Sequence, residues 1–290
     1  MKIGIIGTGY MARKMAETIR AVKNAELYAV ASRTEGNAKK FAERYGCAKS
    51  YSSYFELVQD ELVELVYIAT PHSCHFENAK MCLENNKPVL VEKPFTVNYA
   101  QAQQLLELSR EKNVFIAEAM WTRYMPYRKI VETIIQEKEI GDVSSITANL
   151  GYPMMNVERL CNSDLAGGAL LDVGVYPIHF AMMFSNAEVT KLVSSAVLSP
   201  QNIDYKNSVS LEFSNGVLAS LFCSMTTVTD MRAVIYGTEG YILVDGITNQ
   251  KKFKCMIIHI HSKQYMISPN RKRAMNMNYY RQCRQYKMEQ

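Results

Sequence analysis

The first thing this sequence lacks is a long apolar run. No stretch approaches the roughly 18 residues that a membrane-crossing helix needs, so no membrane partner is expected. No basic segment leads into an apolar one near Met1, so no secretory leader is read and a cytoplasmic location is expected. Disulfide and metal frameworks are lacking too. The seven cysteines (47, 74, 82, 161, 223, 255 and 283) are odd in number, scattered, and form no C-x-x-C. They read as free or buried thiols in a reducing compartment. Internal repeats and low-complexity linkers are also missing. Hydrophobic residues make up 48% of the chain and charged residues 21%, a balance that excludes disorder and supplies a core.

Acid is scarce in one place. Residues 251–290 hold ten lysines and arginines against Glu289 alone, a local charge of +9 within a chain of net +5. The first 250 residues are therefore mildly acidic, at −4. A basic tail can bind nucleic acid. This one also carries five methionines and sustains no period of 2 or 3.6. The abrupt change in charge and patterning suggests a reading frame shifted near residue 250. Its charge would then be accidental, so no nucleic-acid partner is expected.

The remaining chain has two textures. Strand-like runs at 2–6, 27–31, 64–69, 88–91 and 114–117 alternate with helix-like runs at about 10–22, 36–45, 73–85 and 98–112. That alternation predicts βαβ units and a parallel sheet. From about residue 143 the runs become longer and alternate in polarity, as in "SVSLEFSNGVLASLFCSM". They predict an antiparallel sheet, with a helix-like stretch at 168–184 set between its strands. Asn215-Gly216 reads as a two-residue hairpin turn, and "YGTEGYILV" as another turn. The domain boundary falls near residue 119.

Directly after the first strand comes Gly7-Thr8-Gly9-Tyr10-Met11-Ala12. The first glycine permits a tight turn, the second lets backbone approach a pyrophosphate, and the small third residue lets helix pack on strand. The phosphates would sit at the helix N-terminus. Where the second strand ends, Ser32 stands at the acid position that reads the ribose of NAD, and Arg33 follows. A hydroxyl and a guanidinium form a clamp for the 2′-phosphate of NADP, so NADP is the expected cofactor, with NAD as the other choice.

Two further stretches carry chemistry. In "VLVEKPF" an apolar strand runs into Glu92-Lys93-Pro94, which places Lys93 at a strand's carboxyl end, where open α/β sheets bind ligands. Pro94 leaves room for a cis bond. A partly buried lysine there can serve as an acid or base, or polarise a neighbour. In "GGALLDVGVYPIHF", Asp172, Tyr176 and His179 are spaced along one face of a mostly apolar helix. Pro177 warns of a kink or restart. His179 reads as core packing. His72, Cys74 and His75 do not make a closed four-ligand set, so no metal is expected.

With these residues in place, the chain resembles the glucose–fructose oxidoreductase / inositol dehydrogenase family over about residues 2–245. "AEAMWTRYMP" and Tyr176 resemble the branch containing dimeric dihydrodiol dehydrogenases; many relatives carry histidine at the tyrosine position. The resemblance implies an α/β protein: an N-terminal Rossmann fold with a parallel sheet over 1–119, then an α+β domain with a large, mostly antiparallel open sheet over 120–290. It implies Lys93, Asp172 and Tyr176 as the catalytic residues. Thr70, Pro71 and His75, with the Glu92-Lys93-Pro94 block, are implied to lie against the cofactor. Trp121 and Arg123, together with Asp172 and Tyr176, are implied to face a small-molecule substrate. That substrate would be a sugar, polyol or related cyclic alcohol, and the second sheet would form a homodimer. The altered tail keeps a second reading in view, a catalytically silent dinucleotide-binding sensor or damaged family member.

Overall fold

A computed structural model describes residues 1–248 and the strand at 252–257. The rest of the atypical tail, to which the shifted-frame expectation applies, lies outside the described residues. The chain divides into two compact units. One is Met1–Met120 with Val157–Gly167; the other is Trp121–Asn156 with the chain from Gly168 onward.

The first unit is built on six parallel strands in the order β3-β2-β1-β4-β5-β6. They are β1 (Lys2–Ile6), β2 (Glu26–Ala31), β3 (Lys49–Tyr51), β4 (Leu65–Ile68), β5 (Val89–Val91) and β6 (Ile116–Glu118). Helices α1 (Tyr10–Arg20), α2 (Glu35–Tyr45), α3 (Tyr54–Gln59), α4 (His75–Glu84) and α5 (Tyr99–Lys112) connect them. Period two along each strand sends neighbours to opposite faces. Ile5, Val30 and Tyr67 enter one apolar cluster, and Ile6, Ala31 and Ile68 the other. The strand order reverses between β1 and β4, the switch point beyond which such sheets bind ligands. Sequence periodicity misses β3 and α3. The first is a three-residue edge strand in a polar stretch, and the second has only six residues.

The second unit contains α6 (Tyr127–Gln136), β7 (Val143–Gly151), a π turn (Leu170–Gly174), α7 (Val175–Ser185), β8 (Val189–Leu198), β9 (Asp204–Phe213), β10 (Leu218–Ser224), β11 (Arg232–Gly237), β12 (Gly240–Asp245) and β13 (Lys252–Ile257). Its seven-stranded sheet runs β13-β12-β11-β7-β10-β9-β8. Every pairing is antiparallel except β10 with β7. Alternate residues such as Ile146, Leu150, Leu211, Leu221, Ile235 and Ile242 are buried, and α7 packs against β7, β10 and β11. Edge strand β8 is exposed along its whole length, Leu192, Val193, Val197 and Leu198 included.

Two local expectations need correction. The β9–β10 hairpin forms, but its loop is Ser214-Asn215-Gly216, because Phe213 and Val217 already pair: the Phe213 N–H donates to the Val217 carbonyl at 2.9 Å. Only Gly216 takes positive φ, at 82°, so this is the three-residue loop with a glycine bulge, not the two-residue turn. Residues 163–185 also have the length and hydropathy of a membrane span. The helix is broken by positive φ at Ala166 and Gly168, and α7 is a core element of the second unit.

Candidate functional site

The turn after β1 is shaped by two glycines with different duties. Gly7 has φ +107°, and a Cβ there would stand 2.6 Å from the Ala69 carbonyl oxygen at the end of β4. It is the residue that lets the two strand ends lie side by side. Gly9 caps α1 with extended backbone, and a Cβ on it would meet nothing within 4 Å. What glycine provides at that position is open space above the helix. No side chain caps α1, and its first turn holds no acidic residue. Ala12 is fully buried in the core with Ile3, Ile5 and Ala16. Thr8, Tyr10 and Met11 remain at the surface around this space. An uncapped helix start under an open cradle suits a diphosphate.

At the end of β2, Ser32 is buried and its Oγ accepts from the Thr34 N–H at 3.4 Å. Arg33 is exposed and lies beside Tyr54. Burial pushes the Tyr54 phenol up, and the Arg33 charge offsets part of that.

The loops after β4 and β5 are tied together by His75. Its Nε2 lies 3.0 Å from the Thr70 carbonyl and its Nδ1 2.7 Å from the Pro94 carbonyl. Burial pushes this imidazole below its usual range, the two carbonyls pull the other way, and Lys93 lowers it further. A neutral ring has one N–H to donate to the two carbonyls. Thr70 also accepts from Asn78 Nδ2 through its Oγ1 at 3.1 Å. The Lys93–Pro94 peptide is cis. Two carboxylates, the buried Glu92 and the half-buried Glu118, hold this block. Glu92 accepts from the Tyr67 hydroxyl and, at 3.2 Å, from the Lys93 N–H. Glu118, at the end of β6, accepts from the Phe95 N–H at 2.8 Å. Burial raises both carboxyls above their usual range. Tyr67 and Glu118 escape sequence reasoning, although Glu118 stands at a strand's carboxyl end just as Lys93 does.

His72 does not turn toward a metal set. Its Nδ1–H donates to the Ala166 carbonyl at 3.1 Å, and Arg159 Nη1 donates to its Nε2 at 3.4 Å. It thereby anchors residues 157–167 onto the first unit.

In the second unit, Asp172 is 5% exposed on the π turn and Tyr176 follows on α7. Pro177 explains the turn. It has no N–H and its ring would press on the carbonyl four residues back, and the wider π turn just before it relieves both. The expected common face of Asp172, Tyr176 and His179 is therefore carried by a π turn running into an α-helix, not by one regular helix. The turn is anchored from β9: Asp204 Oδ2 accepts from the Leu170 N–H at 2.6 Å and from Asn207 Nδ2 at 2.5 Å. Gly168, with φ +116°, leaves room for that carboxylate.

Trp121 opens a 3-10 turn, Trp121–Tyr124, and its Nε1–H donates to the Tyr176 hydroxyl at 3.2 Å. Arg123 sits on the same turn, and its carbonyl accepts from Arg128 Nη1 at 3.2 Å. His179 Nε2 is buried and has no hydrogen-bond partner among the described residues. Burial, then the charges of Arg123 and Arg128, push this imidazole down to about 4.

The chain is similar to known proteins over both of its units. Residues 1–119 match the oxidoreductase family with an NAD-binding Rossmann fold, and residues 129–243 match the GFO/IDH/MocA C-terminal domain. The trans-1,2-dihydrobenzene-1,2-diol dehydrogenase of Xenopus laevis is 36% identical over 247 residues, 84% of this chain and 74% of that protein. The Xenopus tropicalis protein of the same name is 32% identical over 97% of this chain and 88% of its own length. Among solved structures, KijD10, a 3-ketoreductase from Actinomadura kijaniata in complex with NADP and TDP-benzene, superposes with a TM-score of 0.83. It is 26% identical, with 97% of this chain and 89% of that one covered. From the glycine turn through the Glu92-Lys93-Pro94 block to the tyrosine helix, the chain belongs to the Gfo/Idh/MocA family of NAD(P)-binding oxidoreductases.

Proposed function

We propose that this protein is an NADP-preferring dehydrogenase or reductase acting on a CH–OH group of a sugar, polyol or related cyclic alcohol. The observation that carries the reading is Tyr176. It is a phenol on a core helix, four residues after the buried Asp172, with its oxygen already held by a neighbouring donor. The names of the relatives and of KijD10, which act on a cyclic diol and a ketone, support the same class. The cofactor would be held by Gly7 to Ala12 at its diphosphate, by Ser32 and Arg33 at the 2′-phosphate, and by Thr70, Pro71 and His75 with the Glu92-Lys93-Pro94 block. A bound nicotinamide supplies or accepts the hydride.

The protein's own task is the proton. As an alcohol becomes a carbonyl its hydroxyl must lose a proton, and in the reverse direction it must gain one. An unperturbed phenol, at about 10, is a weak base near neutrality, so Tyr176 needs help to ionise. We assign that help to the Lys93 ammonium, because a cation favours the ionised form. Asp172 orients the reacting groups, and Trp121 and Arg123 contact the substrate. Acid–base assistance of this kind contributes about 10²–10⁴-fold.

The test is NADPH oxidation against a panel of aldoses, ketoses and diketones, with Lys93→Met and Tyr176→Phe alongside. Each substitution should cut kcat by about 10²-fold or more while cofactor affinity changes little. Their effects should also be strongly non-additive. Near-normal turnover by Tyr176→Phe would remove the tyrosine from the mechanism. Cofactor binding with no turnover on any substrate would instead favour the silent sensor. We also propose a homodimer through the second sheet, whose strand β8 leaves apolar residues uncovered. A monomeric mass by light scattering at micromolar concentration would refute it.

A further inference from the structure

Trp121 is the single tryptophan of the chain, and its indole is 42% exposed. Packing alone does not fix such a ring, so its hydrogen bond to Tyr176 helps to define where it sits. An indole N–H can only donate. At 3.2 Å the Tyr176 oxygen must therefore be the acceptor, and the phenol's own proton is directed elsewhere. A hydrogen bond is stronger when its acceptor is charged. The same contact thus stabilises the phenolate more than the phenol.

We propose that Trp121 is a positioning residue for the proton-transfer group: its indole N–H occupies the Tyr176 oxygen, turns the phenolic proton away from itself, and makes the phenolate easier to form. The proposal rests on the reading of Tyr176 given above, and it makes Trp121 more than a wall of the substrate pocket.

Charged or titratable groups beside this helix include Asp172 on the π turn, Cys223 on β10, Arg123 on the 121–124 turn, Arg128 on α6 and His179 on α7 itself, besides the Lys93 ammonium assigned above. Burial keeps the Cys223 thiol protonated, up at about 11, and holds His179 neutral near pH 7. Substituting Trp121 leaves these groups in place, so the effect of its donor can be isolated.

The experiment is a pH titration of the full chain and of Trp121→Phe. Tyr176 ionisation is read as the tyrosinate absorbance lost when Tyr176→Phe is made in each background. Removing the donor should move that midpoint upward by about one pH unit, the difference between hydrogen bonds to charged and neutral acceptors. The limb of kcat/KM against pH should move by the same amount in the same direction. Tryptophan emission gives a check that needs no catalysis. In the unsubstituted chain it should fall as Tyr176 ionises, and this step should vanish in Tyr176→Phe.

An unshifted midpoint in Trp121→Phe, or a change of KM with the pH limb in place, would overturn the proposal. So would emission curves that coincide with and without the Tyr176 hydroxyl. If the midpoint shifts but Tyr176→Phe keeps its turnover, the Trp121–Tyr176 coupling stands and the catalytic assignment of Tyr176 falls.

Discussion

Substituting Gly168 by alanine tests how the π turn is held. Gly168 has φ +116°, and an added Cβ would collide with the Asp204 carboxylate. A non-glycine residue in left-handed backbone costs about 1–2 kcal/mol. The collision adds more, because the carboxylate must leave the Leu170 N–H and Asn207 Nδ2, which it accepts at 2.6 and 2.5 Å. Hydrogen bonds to a charged acceptor contribute about 1.5–3 kcal/mol each. Losing one of them while the other adapts puts the expected destabilisation of Gly168→Ala at about 3–5 kcal/mol. Urea unfolding followed by circular dichroism measures it. A double-mutant cycle with Asp204→Ala separates the two contributions. Once the carboxylate is gone the collision is gone too, so the pair should cost clearly less than the sum of the singles. A loss under about 1 kcal/mol for Gly168→Ala, or strict additivity, would refute the account.

Two other expectations follow from the same geometry. Arg33→Ala should weaken NADPH binding by about 1.5–3 kcal/mol, the scale of a charge-assisted hydrogen bond, and leave NADH binding nearly unchanged. Equal losses in a titration of both cofactors would show that Arg33 does not read the 2′-phosphate. His179 is held down at about 4 by burial and by Arg123 and Arg128, against about 6.5 in an unfolded chain. The native state therefore disfavours the protonated ring. Its stabilising contribution is complete above about pH 6.5 and is lost as pH falls toward 4. Thermal melts of His179→Phe should show a shallower acid-side decline than the parent; parallel curves would count against the shift.

The parallel sheet and the glycine turn were legible because their signals are local. A strand, two glycines and an amphipathic helix lie within about twenty residues, and each glycine's duty follows from backbone sterics. The antiparallel character of the second sheet was legible for the same reason, in the alternation along β9 and β10. What escaped depends on partners distant in sequence. Asp204 reaches Leu170 across 34 positions, and nothing in "NIDYKN" announces it. Arg159 and Ala166 meet His72 across about ninety positions, so the return of 157–167 to the first unit has no mark in composition. Pro177 did announce an irregularity in the helix, but only the structure shows a π turn as the form it takes. The loop at Asn215-Gly216 is one residue longer than its sequence suggests, because an Asn-Gly pair suits both the two-residue turn and the glycine bulge.

Strand β7 lies between β10, its parallel partner, and β11. On one side β8, β9 and β10 form a meander of neighbours in sequence; on the other β11, β12 and β13 form a second. During synthesis β7 emerges first of the seven, yet its flanking strands begin at Leu218 and Arg232. Translation proceeds at about 5–20 residues per second, so a nascent chain carries β7 with both edges unpaired for several seconds. Chains stalled or cleaved before Leu218 would keep it that way. For such fragments, strand pairing with another copy competes with degradation, and the demand this protein places on chaperones would be set by the interval between β7 and the strands that flank it less than by the stability of the finished sheet.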